Sequence, residues 1–215
     1  MRTATVNTFK AFVLTAPEPL RAQFRDLRTA AQISYAAGLT AAEDFVDGVL
    51  MTTLAQLAGV VRLLDRHLAA NKDQLATLVG SWMPELLAEF GVGPVAAAQL
   101  LVSWSHPGRC RSGAAFAMLA GTAPIQASSG RVTRHRLNRG GDRQLNRVLH
   151  VIAIHRLHHD PRTRDYADRR QTAGSTDRET RRCLKNYLAR HLWRVMEHHQ
   201  PEAPSAPPTQ PGIAA

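Results

Sequence analysis

Aromatic residues fill only 6% of the 215 positions, and there are just two cysteines, Cys110 and Cys183. So few rings exclude base stacking as the main mode of any nucleic-acid binding. Two cysteines far apart, with no C-x-x-C pair, exclude a disulfide framework and suit a reducing cytoplasm. No uninterrupted apolar run approaches ~20 residues, so no membrane-spanning segment and no membrane partner is expected. The opening MRTATVNTFKAF has too short an apolar stretch for a secretory signal. Strand-like alternation is also rare, which predicts a mainly α fold. Acid is scarce where base is plentiful: Arg131 to Glu197 hold 17 of the 27 Lys/Arg but only 7 of the 17 Asp/Glu. The remainder is balanced, so the whole formal charge of +10 belongs to one segment. Such segregation points to a polyanion, most simply nucleic acid, as partner.

What is present divides the chain into four parts. Residues 1–40 predict N-terminal helices: one over TVNTFKAFVL, stopped by Pro17 and Pro19, and a second from about Glu18 to near Gly38. Residues 41–80 predict a long coiled-coil-like helix. Leu50, Leu54, Leu57, Val61, Leu64, Leu68, Asn71, Leu75 and Leu78 alternate by four and three, and Gly80 is expected to end the rod. So narrow a stripe needs a partner, either another helix of this chain or a second copy. Residues 81–200 predict a compact helical domain, and the proline-rich tail 201–215 predicts disorder.

Within the third part, two short apolar helices are joined by Gly91-Val92-Gly93, with Pro94 suited to the first turn of the second. This is the pattern of a helix-hairpin-helix, whose exposed N–H groups can hold a DNA phosphate without reading bases. A helix capped by Ser112 follows, with Ala115, Phe116 and Leu119 facing a core. Gly140-Gly141-Asp142 predicts a turn and N-cap. The next helix buries Leu145, Val148, Leu149 and Ile152 and puts Arg143 and Arg147 on its other face. A loop around HHDPRTRDY leads to a last helix, opened by the capping box Thr176 to Glu179. There Leu184, Tyr187, Leu188, Leu192 and Val195 are predicted buried, and Arg181, Arg182, Lys185, Arg190 and Arg194 lie outside. His155, His158, His159 and Asp160 are crowded but lack a partner at zinc spacing, so no metal is expected. Trp82, Trp104 and Trp193 are expected to pack, and Cys183 to be a small core residue.

Between these elements Ser128-Ser129-Gly130 runs into Arg131, Arg134, Arg136 and Arg139. A serine hydroxyl becomes a useful nucleophile only when activated and when cations meet the developing charge. A phosphoserine ester would conserve the energy of a broken DNA backbone bond. A phosphate-anchoring turn explains the same residues, with Gly130 allowing close approach to a duplex.

LLAEFGVGPVAAAQLL, then FAMLAGTAPIQASSGRVTRHRLNRGGDRQLNRVLHVI, resembles the C-terminal recombinase domain of insertion-sequence transposases of the IS110 type. The resemblance covers most of Met83 to Met196. It implies a serine-using DNA transposase and recombinase of mobile elements, guided by a bridge RNA and assembled through its coiled coil. It implies Ser128 as nucleophile, with Ser129 second because adjacent hydroxyls leave the register open. It implies contact with DNA at Gly91, Gly93, Pro94, Gly130, Arg131, Arg134, Arg136, Arg139, Arg143 and Arg147. The family begins with a ribonuclease-H-like domain binding Mg²⁺ through four acidic residues, and nothing before Glu43 resembles it. Glu18, Asp26, Glu43, Asp44 and Asp47 fall on helical or turn sequence. The chain is therefore expected to be the second part of such a protein, without a cofactor of its own and inactive alone. The alternative is a non-catalytic DNA- or RNA-binding remnant that joins intact transposase.

Overall fold

The computed structural model describes residues 1–40, 45–126, 135–136, 138 and 140–199. The fold is mainly α, ten helices and one two-stranded ladder among the described residues. The chain forms two compact units, 1–72 and 73–215.

In the first unit, α1 (Arg2–Thr15) buries Val6, Phe9 and Val13, spaced by three and four. α2 (Glu18–Ala22) carries a proline in its first turn, and α3 (Thr29–Ala36) buries Ile33 and Ala36. The single helix expected from Glu18 to Gly38 is thus two. The break lets Phe24 turn fully inward, edge-on to Phe9 at 6.1 Å and to Tyr35 at 5.2 Å. The Gln32 side chain donates to the Phe24 carbonyl at 2.9 Å and holds the turn.

α4 (Phe45–Trp82) is one 38-residue helix, about 57 Å at ~1.5 Å per residue. It passes through Gly80 and stops before Pro84, which forces Met83 out of helical geometry (φ −147°, ψ 72°). The leucine seam meets three environments. Leu54 and Val61, with Ala58, are fully buried in the core of the first unit, at whose surface Arg2 pairs with Asp65. Val79 joins the core of the second unit. Between them Leu68 stays 57% exposed, and Leu78 is 64% exposed. By length and composition alone, Val46–Trp82 is long and apolar enough to cross a membrane. The absence of long apolar runs concealed this, because the apolar residues are spread at helical spacing. Arg62, Asp65 and Arg66 place charge midway along this continuous helix.

The second unit contains α5 (Pro84–Ala88), α6 (Pro94–Trp104), α7 (Gly113–Leu119), α8 (Arg143–His159), α9 (Pro161–Thr172) and α10 (Asp177–His198). Strands β1 (Ile125–Gln126) and β2 (His135–Arg136) pair antiparallel. α10 packs against α5 to α9, around a core that includes Trp104, Phe116, Leu145, Leu149, Ile152 and Leu192. The predicted cap at Ser112 forms, accepting from the Ala115 amide at 3.2 Å. The expected loop after α8 shrinks to one residue. Asp160 ends α8 and caps α9, accepting from the Arg162 amide at 3.2 Å and the Thr163 hydroxyl at 2.6 Å.

The capping box opens α10 as predicted, with the Thr176 amide donating to Glu179 at 2.8 Å. Its buried face is Thr180, Leu184, Leu188, Ala189, Leu192 and Met196. Tyr187 is 61% exposed rather than buried, because this face is centred on Leu188, Ala189 and Leu192. Trp104 packs and donates to Glu197 at 2.9 Å, but Trp82 is largely exposed. Cys110 is buried, and Cys183 is half-buried beside the Arg170 guanidinium at 3.6 Å.

Candidate nucleic-acid interface

The geometry begins with two glycines. Gly121 (φ +64°) and Gly141 (φ +115°) both occupy left-handed backbone, and their chains touch. A Cβ on Gly141 would lie 2.6 Å from the Leu119 carbonyl oxygen, and one on Gly121 would lie 2.8 Å from that of Gly140. The Asp142 amide donates to the Leu119 carbonyl at 2.7 Å. Above this junction Ile125 pairs with Arg136, and Gln126 with His135. The chain therefore leaves and returns through one narrow neck. The sequence carried between the strands includes Ser128, Ser129, Gly130, Arg131 and Arg134, which with Arg139 lie outside the described residues. Arg136 is fixed by its backbone in β2.

Asp142 ties this neck to the core. As N-cap of α8 its carboxylate accepts from the Gln144 amide at 2.8 Å and the Leu145 amide at 3.0 Å. The Ser103 hydroxyl of α6 donates to its other oxygen at 2.5 Å. Burial works to raise the Asp142 pKa, but Ser103, the two amides and the nearby Arg109 charge together hold it below its ordinary value. Arg143 and Arg147, one turn apart on the first half of α8, are both exposed, as predicted.

Below the neck lies a cleft of about 650 Å³, between Gly121–Pro124 on one side and the α9–α10 turn and α10 on the other. Arg170, Arg182, Lys185 and Arg190 line it, and Glu179 is the single carboxylate among its lining residues. Asn146 bridges cleft and neck, donating to the Ala120 carbonyl at 2.7 Å and accepting from the Lys185 ammonium at 2.8 Å. Burial, then the neighbouring Arg182 charge, lower the Lys185 pKa. The Arg170 Nε is buried without a hydrogen-bond partner. Among the described residues none of these four cations forms an ion pair. Sequence reading noted the α10 cations but did not assign them to the site. Their signal was the spacing of Arg182, Asn186 and Arg190, four apart along one face.

The glycine turn predicted to face phosphate sits elsewhere on α8. Gly91 (φ +81°) packs against the second half of that helix, where a Cβ would lie 3.3 Å from His155 Nδ1. A Cβ on Gly93 would meet nothing within 4 Å, so only the first glycine, through its positive φ, is favoured by the backbone. Gly93 caps α6, and Pro94 lies in its first turn. Glu89 fastens this turn, reaching Arg156 on α8 at 2.9 Å and His191 on α10 at 2.8 Å. With α5 only five residues long, the pair is a short helix, a turn and an eleven-residue helix.

Among the described residues no group of three or more His, Cys, Asp or Glu could hold a metal ion. The His155 and His159 rings lie 4.6 Å apart, tilted at 45°, and His155 also meets the Phe90 ring at 5.6 Å. The acidic set that Mg²⁺ would need is not found among these residues.

Residues 84–168, which span this neck and most of the core around it, match the model of the Transposase IS116/IS110/IS902 family. Over 132 residues, 60% of the chain, the sequence is 32% identical to the "Insertion element IS110 uncharacterized 43.6 kDa protein" of Streptomyces coelicolor. The chain covers about a third (33%) of the length of that protein.

Proposed function

Residues 84–168 belong to the IS116/IS110/IS902 transposase family, and from that premise we propose that the chain acts on DNA in transposition, with Ser128 as nucleophile. The Ser128 Oγ attacks a backbone phosphorus, forming an Oγ–P ester as the bond from phosphorus to the departing strand oxygen breaks. The hydroxyl proton passes to that oxygen. The reverse step, with the strand hydroxyl attacking the phosphoserine, rejoins DNA without an external energy source. Arginines of 131–139 would meet the charge developing on the phosphate oxygens. Arg143, Arg147 and the N–H groups of the Gly91–Pro94 turn would position the duplex. A guide RNA and a second copy joined through α4 complete this reading.

The observation that carries it is the neck. β1 and β2 bring both ends of the serine-bearing stretch close to a cleft lined by Arg170, Arg182, Lys185 and Arg190. The test mixes the chain with element-end DNA, Mg²⁺, guide RNA and a supplied acidic N-terminal half, then separates products on a denaturing gel. A protein–DNA adduct lost in Ser128→Ala and kept in Ser129→Ala is expected. DNA binding with no adduct under any of these conditions would leave only the reading of a nucleic-acid-binding remnant.

A further inference from the structure

The cleft holds more charge than its own fold uses. Against Arg170, Arg182, Lys185 and Arg190 stands Glu179 alone, already engaged by the Thr176 amide and hydroxyl at 2.8 Å each. Partly burying cations without counter-charge is unfavourable, and an anion relieves it. The volume, about 650 Å³, falls within the ~300–1,000 Å³ typical of small-molecule pockets and far exceeds what one phosphate fills. Pro124, Ala173 and the ring of Tyr187 add apolar and aromatic wall beside the polar Thr122, Asn138 and Ser175. That ring is 61% exposed and is braced edge-on by Tyr166 at 6.0 Å and 86°, so a broad surface stays open. Asn186, which reaches the Thr122 carbonyl at 3.4 Å, adds an amide at the same wall.

Cations and an exposed aromatic ring lining one cleft fit a nucleotide better than a bare phosphate. A paired nucleotide cannot present its face, because it is stacked within the duplex. We propose that this cleft receives one unpaired nucleotide of the bound DNA strand, its phosphate among the α10 cations and its base against Tyr187. This rests on the DNA-acting reading above. It adds a structure-selective pocket that recognises distortion next to the serine-bearing stretch rather than sequence. The scarcity of aromatics elsewhere makes this a local contact, while charge still supplies most of the affinity.

The test measures anisotropy of the full chain with two labelled duplexes of the same sequence, one fully paired and one with a single unpaired 2-aminopurine nucleotide. The bulged duplex is expected to bind about tenfold tighter, the scale of one base–aromatic stack, with quenched 2-aminopurine emission. In Tyr187→Ala the preference should fall to about unity with a stacking-scale loss, and the exposed position leaves the thermal midpoint as a folding control. Arg143→Gln, outside the cleft, should weaken both duplexes and keep the ratio. Equal wild-type affinity for the two duplexes would overturn the pocket while leaving DNA binding intact, as would a preference that survives Tyr187→Ala. Binding of neither duplex would remove the DNA reading itself. Free deoxyadenosine monophosphate binding as tightly as the bulged duplex would reassign the cleft to a soluble nucleotide and overturn its link to the strand.

Discussion

Gly141 and Gly93 look alike in the sequence, yet only one is held by its surroundings. A Cβ at 141 would meet a backbone oxygen that cannot swing away, on a φ of +115° that side chains rarely adopt. Gly141→Ala should therefore cost about 2 kcal/mol or more in the second unit, read as a lowered denaturation midpoint. Gly93→Ala should change stability by only a few tenths of a kcal/mol, since that position is an open N-cap at φ −91°. Comparable losses in both would show that the neck is not tightly packed. The glycine–glycine–aspartate turn was legible in the sequence because turn and cap chemistry are local. Its partner at Gly121 was not, since 20 residues separate two chains whose contact is backbone against backbone. The same limit hid the Ser103 hydroxyl: nothing local links it to Asp142, 39 residues on.

α8, α9 and α10 each open on a carboxylate: Asp142, Asp160 and Glu179. Each is held below its ordinary pKa. For Asp142 the Ser103 hydroxyl and two amides outweigh burial. For Asp160 the Thr163 hydroxyl leads, and for Glu179 the Thr176 amide. A carboxylate with a lowered folded pKa gives stability that is present above its unfolded value and lost as pH falls through the folded one. The contribution of these three caps should hold constant down to about pH 4 and then weaken as they protonate. Asp142→Ala should cost about 2 kcal/mol at pH 7, one cap plus one stranded hydroxyl, and that gap should narrow as pH falls through the lowered folded pKa of Asp142. A gap that persists in strong acid would assign the loss to packing.

α4 shows what periodicity can and cannot reveal. Its seam is continuous in sequence but interrupted in environment, because the core of each unit takes one end of it. Leu54→Ala should destabilise by about 2–4 kcal/mol through a cavity, whereas Leu68→Ala should leave the folded chain nearly as stable. If two copies meet along this helix, Leu68→Lys should instead shift sedimentation from dimer toward monomer at micromolar concentration. An unchanged sedimentation profile would leave the seam unpaired between copies. Tyr187 teaches the complementary lesson: i, i+3 spacing placed it in the stripe, but only the packing of α10 on five helices decides where that stripe is centred.

Across the whole molecule, charge distribution was the most legible feature and carries the broadest prediction. The stretch Arg131–Glu197 contributes all of the +10, and its described part includes the exposed side of α8 and the α9–α10 cleft. Sequence could count this charge but could not fold it, so the cleft, assembled from α9, α10 and the Gly121–Pro124 turn, had no linear signature. If DNA neutralises about five of these cations, log affinity should fall with log salt at a slope of about −4 to −5. Doubling the salt from about 0.1 M to 0.2 M then weakens duplex binding roughly 20-fold. Arg143→Gln with Arg147→Gln should reduce the slope by about two, weakening all sequences alike, because exposed arginines on one helix face neutralise phosphates and do not read bases. A slope near zero in the unmodified chain would mean that the segregated charge serves solubility and not a polyanion. An unchanged slope in the double variant would move the DNA path off α8 and leave the cleft and the serine-bearing stretch to carry it.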